Sequence, residues 1–97
     1  MQKRQFYVTS ILLRFIQEQN SETLIRTILA LQDQEIVKRE EFQVWRLKRK
    51  HKSKFYLILD DGNYNKILRV RVVLPHCKAN KLKLYFENSV LCFPKER

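Results

Sequence analysis

The densest positive charge in the chain lies in residues 46–54, which read RLKRKHKSK and hold six lysine or arginine side chains. Ammonium and guanidinium groups at this density attract phosphates, and each phosphate that they neutralise releases a condensed counterion. We expect this stretch to be a flexible loop between two strands that contacts a nucleic-acid backbone, and the alternative is an ordinary solvated loop. The candidate phosphate contacts are Arg46, Lys48, Arg49, Lys50, Lys52 and Lys54.

A second set of cations follows a period of two. In residues 66–74 and 81–86, apolar side chains alternate with positions that are mostly cationic. Neighbouring side chains of a strand point to opposite faces, so each segment predicts a strand with one apolar and one basic face. Like charges on adjacent strands repel, and a face that gathers them without carboxylates suits an anionic partner. The predicted contacts are Arg69, Arg71, Lys81 and Lys83, with Tyr85 stacking on a base or covering the sheet and Tyr56 and Tyr64 as further aromatic candidates.

Catalytic chemistry finds little support in the remaining side chains. Asp60 and Asp61 are adjacent carboxylates of the kind that hold Mg²⁺ in nucleases. The Gly62 and Asn63 that follow them are turn residues, and turn chemistry is the favoured interpretation of this segment. No serine or cysteine nucleophile with recognisable spacing is present. We therefore expect no catalytic residue and no enzyme activity.

The histidines and cysteines do not have the spacing of a metal site. The chain has two of each, and they form neither a CxxC nor an HxxxH pattern. Two cysteines are also too few for a disulfide scaffold, so Cys77 and Cys92 are predicted to be buried thiols in a reducing compartment, with a single bridge as the alternative. We expect no metal and no cofactor.

Two N-terminal helices are predicted to position the basic half. Apolar residues recur every three or four positions in residues 8–16 and again in residues 25–36, which is typical of amphipathic helices. The second helix is expected over about residues 22–39. Two alternatives stay open. Residues 6–8 can begin as a short strand, and the second helix can continue through Trp45 or to Lys50, where its basic end would meet phosphates in place of the sheet face.

The predicted fold class is α+β, with an N-terminal helical pair packed on a C-terminal antiparallel sheet of four to five strands. The 97 residues fit one domain. Residues 1–41 are helical and neutral, with six cations and six carboxylates, whereas residues 42–97 are β-rich and carry fourteen cations against four carboxylates. The whole net charge of +10 therefore lies in the second half. No apolar run approaches the length of about 20 residues that a membrane-spanning helix needs, and no secretory signal is expected.

These patterns favour a small, non-enzymatic, basic protein that binds DNA or RNA through its phosphate backbone. The alternative is a protein-interaction module, a viral, phage or regulatory factor, that docks on an acidic protein and has the same kind of surface. No membrane partner is expected. The expected location is intracellular, either cytoplasmic or nucleoid-associated, or nuclear in a eukaryotic or viral setting. A homodimer through the helical half is a further prediction, because Phe6, Tyr7 and Leu13 fall outside the main apolar stripe.

Overall fold

A computed structural model describes residues 5–97, in which three α-helices pack on one face of a six-stranded sheet. Lys3 and Arg4, which we counted in the neutral half, lie outside the described residues. The elements are β1 (Tyr7–Val8), α1 (Ser10–Glu18), α2 (Glu22–Leu31), α3 (Glu35–Lys38), β2 (Phe42–His51), β3 (Lys54–Asp60), β4 (Lys66–Val73), β5 (Lys81–Glu87), β6 (Val90–Cys92) and a final 3₁₀ turn (Pro94–Glu96).

The sheet order is β1-β6-β5-β2-β3-β4, with β2 and β5 near its middle. All neighbours are antiparallel except β1, which lies parallel to β6. The backbone N–H groups of Tyr7 and Thr9 donate to the carbonyls of Ser89 and Leu91 at 2.8 and 3.1 Å and hold this edge strand in place. The predicted α+β class is correct. The predicted purely antiparallel sheet of four to five strands is wrong in detail, because residues 7–8 join as a parallel strand.

The helices cover the sheet face that the strand alternation marks as apolar. Leu12 and Ile16 of α1 and Leu24 and Ile28 of α2 are completely buried. They pack in one cluster with every second residue of the central strands, including Trp45, Leu47, Phe55, Leu57, Leu59 and Leu84. Burial of this apolar surface is the main stabilising contribution to the fold. It also leaves the opposite sheet face free of helices.

The second helix is shorter than predicted, and a buried amide pair lies where it ends. Gln32 and Gln43 exchange two side-chain hydrogen bonds of 2.8 and 2.9 Å, which tie the end of α2 to β2. Gln34 is extended, with φ −79° and ψ 130°, and α3 is a separate single turn. The alternative in which this helix continues through Trp45 or to Lys50 is wrong, since β2 begins at Phe42. Trp45 is a core residue whose Nε1 donates to Gln43 at 2.9 Å.

The basic stretch 46–54 is a hairpin of two paired strands and not the flexible loop that we predicted. β2 extends to His51 and β3 begins at Lys54, so only residues 52 and 53 make the turn. The two strands stay paired from Val44↔Asp60 to His51↔Lys54, with an irregularity at Lys50. β2 can contain these polar residues because Lys48 and Lys50 project from the free face of the sheet, where long cationic side chains remain hydrated.

Other side chains that we singled out have ordinary structural positions. Both cysteines are free thiols, Cys77 buried and Cys92 half-buried, so the predicted thiols are present and a bridge between them is not. Within residues 5–97, no three His, Cys, Asp or Glu side chains cluster in a way that suits a metal ion. None of the helices described here is long and apolar enough to cross a bilayer.

Candidate nucleic-acid interface

The strand register brings the predicted cations of four adjacent strands together on the free face of the sheet. Residues that pair directly across antiparallel strands share a face, and two such rows run across β5, β2, β3 and β4. The first row is Lys81, Lys48, Tyr56 and Arg71, and the second is Lys83, Arg46, Ile58 and Arg69. Lys50 and Lys54 extend the surface toward the β2–β3 turn. We call Arg46, Lys48, Lys50, Lys54, Arg69, Arg71, Lys81 and Lys83 the basic face.

Most of the basic face has no neutralising partner. Among residues 5–97, Arg46 is the one member of the set that has a carboxylate within 4.0 Å, and the other seven have none. Those seven side chains are also exposed. Lysines and arginines on neighbouring strands repel one another when no anion lies between them. The arrangement therefore gives this face a strongly positive potential that an anionic partner would relieve.

Arg46 is fixed by a buried carboxylate at the end of the basic face. Its Nε donates to Oδ2 of Asp60 at 2.5 Å, and Asp60 is only 3% exposed. The other oxygen of Asp60 accepts the backbone N–H of Gly62 at 2.7 Å. The hydrogen bond to Asp60 raises the pKa of the Arg46 guanidinium above its usual value, against a smaller opposing effect of burial. Arg46 is therefore held in position by a carboxylate, whereas the lysines of the basic face have no carboxylate within 4.0 Å among residues 5–97.

The neighbouring carboxylate, Asp61, closes the β3–β4 turn. It accepts the N–H groups of Asn63 and Asn65 at 2.8 and 3.3 Å and the side-chain amide of Asn65 at 2.9 Å. The side-chain hydrogen bond from Asn65, together with these backbone bonds, lowers the pKa of Asp61. Gly62 has φ +92° within this turn, a conformation that side-chain-bearing residues rarely adopt. Asp60 and Asp61 are thus engaged in the turn, in agreement with the turn interpretation.

Tyr56 occupies the middle of the basic face on β3. The Arg69 guanidinium carbon lies 4.5 Å from its ring centroid, and the Lys50 ammonium lies 5.2 Å from it. Hydrogen bonding to Lys50 lowers the pKa of the Tyr56 phenol, and the charges of Lys50, Arg69 and Arg71 act in the same direction. Alternation with the buried Phe55 and Leu57 was the signal in the sequence that Tyr56 belongs to this face.

Tyr85 and Tyr64 lie at one border of the basic face. Tyr85 packs edge-on against Phe42, with ring centroids 4.9 Å apart, so it covers the sheet. Tyr64 is 79% exposed, and the Arg46 guanidinium carbon lies 4.8 Å from its ring centroid. Of the two functions that we predicted for Tyr85, packing on the sheet matches its position.

Two predicted site residues are placed elsewhere. Arg49 points to the helical side of the sheet, where its Nε donates to Asn80 at 2.8 Å and an NH₂ donates to the Cys77 carbonyl at 2.6 Å. Its guanidinium carbon also lies 4.4 Å from the ring centroid of Phe55. Lys52 sits at the tip of the turn with φ 53°. The structure thus assigns Arg49 to the support of the hairpin and leaves Lys52 outside the two rows.

A shallow groove opens between β2 and β5 on the basic face. It has a volume of about 400 Å³ and is lined by Arg46, Lys48, Lys81 and Lys83, together with Leu47 and Leu82. The residues that line this groove include no carboxylate, and Asp60, which holds Arg46, lies outside the lining.

The predicted dimer contacts lie on the opposite side of the molecule. The Phe6 ring packs against Phe86 with centroids 5.7 Å apart, so it belongs to the core. Tyr7 and Leu13 are exposed, and Ile11 of α1 joins them at 63% exposure. The homodimer stays a prediction.

The fold and the basic face define a small α+β protein with one helical side and one cationic side. A family model described as "Family of unknown function (DUF6876)" matches residues 2–97, and the chain belongs to this family. Neither the curated proteins nor the solved structures gave a match to the chain.

Proposed function

We propose that this protein binds nucleic acid without catalysis, through phosphate contacts made by the basic face. The observation that carries the proposal is the convergence, on four adjacent strands, of seven exposed cations that have no carboxylate within 4.0 Å among residues 5–97. Gathering like charges raises the energy of the free protein. A polyanion removes that repulsion and gains entropy from counterion release. The basic face is therefore suited to a phosphate backbone.

The two kinds of cation have different functions in this proposal. Arg46, held by Asp60, and the β4 arginines project from paired strands and present charges at defined positions. The lysines of β2, β3 and β5 are flexible and adapt to the spacing of the phosphates. In this proposal the cations contact phosphates, so recognition rests mainly on the backbone.

The proposal is tested by measuring the binding of fluorescent DNA and RNA oligonucleotides to the purified chain by anisotropy at about 0.1 M salt. The test variant is Arg69→Ala/Arg71→Ala on the basic face. The matched control is Arg14→Ala/Arg26→Ala, which removes the same charge from exposed positions of α1 and α2. Each lost phosphate contact costs close to one logarithmic unit of affinity at this salt, so we expect at least tenfold weaker binding for the face variant and at most about threefold for the control.

Equal weakening by both variants would show that net charge, and not the basic face, governs binding. Absence of binding to every oligonucleotide would overturn the proposal and leave an acidic protein partner as the surviving interpretation of the same surface. Circular dichroism of each variant establishes that it is folded before its affinity is compared.

A further inference from the structure

Seven of the eight cations of the basic face fall into two stripes that run along the strands. The first stripe follows β2 and β5 and contains Arg46, Lys48, Lys50, Lys81 and Lys83, and the second follows β4 and contains Arg69 and Arg71. Between them lies β3, which presents the uncharged Tyr56 and Ile58 at the level of the two rows and carries the eighth cation, Lys54, only at its end beside the β2–β3 turn. Strands lie about 4.8 Å apart, so β4 is about 10 Å from β2 and about 14 Å from β5.

This spacing matches two phosphate backbones and not one. The major groove of B-form DNA is about 12 Å wide, and its edges are the backbones of the two strands. A duplex laid across the sheet would place one backbone on each stripe, with the groove over β3. A single strand that followed either stripe would leave the other one unneutralised.

The aromatic side chains of the basic face point to the same ligand. Proteins that bind single strands stack bases on accessible aromatic rings. Tyr56 has Lys50 and Arg69 against its ring and Tyr85 packs against Phe42, so Tyr64 at the border, which is 79% exposed, is the one accessible ring of these three tyrosines. In a duplex the bases are already stacked and paired, so a duplex can bind without a set of accessible aromatic rings on the protein.

We infer that the ligand of the basic face is a double-stranded nucleic acid, whose two backbones lie along the β2–β5 stripe and the β4 stripe. This inference rests on the proposed function and specifies its substrate. Contacts to both backbones and none to base edges make binding independent of sequence. Duplex DNA and duplex RNA share this chemistry, and the binding experiment compares them.

The test measures the affinity of the full chain for four probes of one sequence and about 24 nucleotides: duplex DNA, duplex RNA and the matching single strand of each. Arg69→Ala/Arg71→Ala removes one stripe and Lys81→Ala/Lys83→Ala reduces the other, with Arg14→Ala/Arg26→Ala as the control. We expect at least one duplex to bind about fivefold or more tightly than its own single strand. Each stripe variant should lower the salt slope for that duplex by about 1.8, because two phosphates are lost.

The outcomes separate this inference from the proposed function. Single strands that bind as tightly as both duplexes, or a stripe variant that leaves duplex binding unchanged, would overturn the inference while nucleic-acid binding itself stands. Failure of all four probes to bind at about 50 mM salt would overturn both. Tighter binding of duplex DNA than of duplex RNA supports the match to the B-form groove, and the reverse preference would overturn that match while the preference for a duplex stands.

Discussion

At the scale of single residues, Arg46 and Tyr56 set the character of the basic face. Arg46 is held by a carboxylate that is buried and occupied on both oxygens, so its guanidinium keeps a defined position. Tyr56 lies among Lys50, Arg69 and Arg71, and its phenol senses the potential that these cations create. The pKa of the Tyr56 phenol should therefore change when an anion binds to the basic face.

The pKa of Tyr56 is predicted to lie below that of an ordinary tyrosine, because the hydrogen bond with Lys50 and the charges of Lys50, Arg69 and Arg71 stabilise the phenolate. The sign reverses on occupation: a polyanion neutralises the cations, so the pKa of Tyr56 should rise toward its usual value near 10. Lys50→Ala should raise it in the free protein as well. The measurement is phenolate absorbance against pH, with and without a non-absorbing polyanion such as polyphosphate.

The Tyr56→Phe variant lacks this phenol, so the difference between its absorbance titration and that of the unmodified chain is the contribution of Tyr56. A Tyr56 pKa that polyphosphate leaves unmoved would mean that the polyanion binds elsewhere on the molecule.

At the scale of elements, the β2–β3 hairpin divides its cations between two tasks. Lys48 lies on the free face, whereas Arg49, the next residue, donates to the Cys77 and Ala79 carbonyls at 2.6 and 3.2 Å and to the Lys52 carbonyl at the turn. Arg49 therefore connects the β2–β3 turn to the segment that precedes β5. Adjacent residues of the same charge thus support the hairpin on one side of the sheet and, in the proposed function, contact phosphates on the other.

Arg49→Ala is predicted to lower the free energy of unfolding by about 2 kcal/mol, since several charge-assisted hydrogen bonds to carbonyls are lost. Its effect on oligonucleotide affinity should stay within about threefold, because the guanidinium is not on the basic face. Lys48→Ala should change the free energy of unfolding by no more than about 0.5 kcal/mol and should clearly weaken oligonucleotide binding. Urea denaturation and anisotropy measure the two effects.

The two variants exchange their effects if our assignment of faces is wrong. An Arg49→Ala protein of unchanged stability that loses affinity would place Arg49 in the interface.

The sequence was sufficient to predict which side chains share a face in β4 and β5. Alternation in residues 66–74, and strict alternation in residues 81–86, separate Arg69, Arg71, Lys81 and Lys83 from the apolar positions facing the core, and the register places all four on the face away from the helices. The predicted turn at Gly62 is also present. These features are local, because each depends on the period of a few consecutive residues.

The features that were not predicted depend on contacts between distant residues. Six cations in nine residues resemble a loop, and nothing near Arg49 in the sequence indicates that Asn80 and the carbonyls of residues 77 and 79 come to meet it. The break after α2 depends on the amide pair of Gln32 and Gln43. The parallel pairing of β1 with β6 joins the two ends of the chain, so no local period could reveal it.

At the scale of the whole molecule, the fold separates its surfaces by charge. The helical side carries mixed charges, and the free face of the sheet carries the excess of cations with seven of them unpaired among the described residues. One continuous core between the helices and the sheet stabilises the strands from which the cations project. The central claim is that this face neutralises several phosphates at once.

Salt dependence of binding tests that claim most directly, because the slope counts the phosphates that are neutralised. With seven unpaired cations on the face, the logarithm of the association constant for duplex DNA should fall against the logarithm of salt concentration with a slope of about −6. Arg69→Ala/Arg71→Ala should reduce its magnitude to about 4, while Arg14→Ala/Arg26→Ala should leave it near 6. A slope close to zero, or the same reduction in the helical control, would contradict the account.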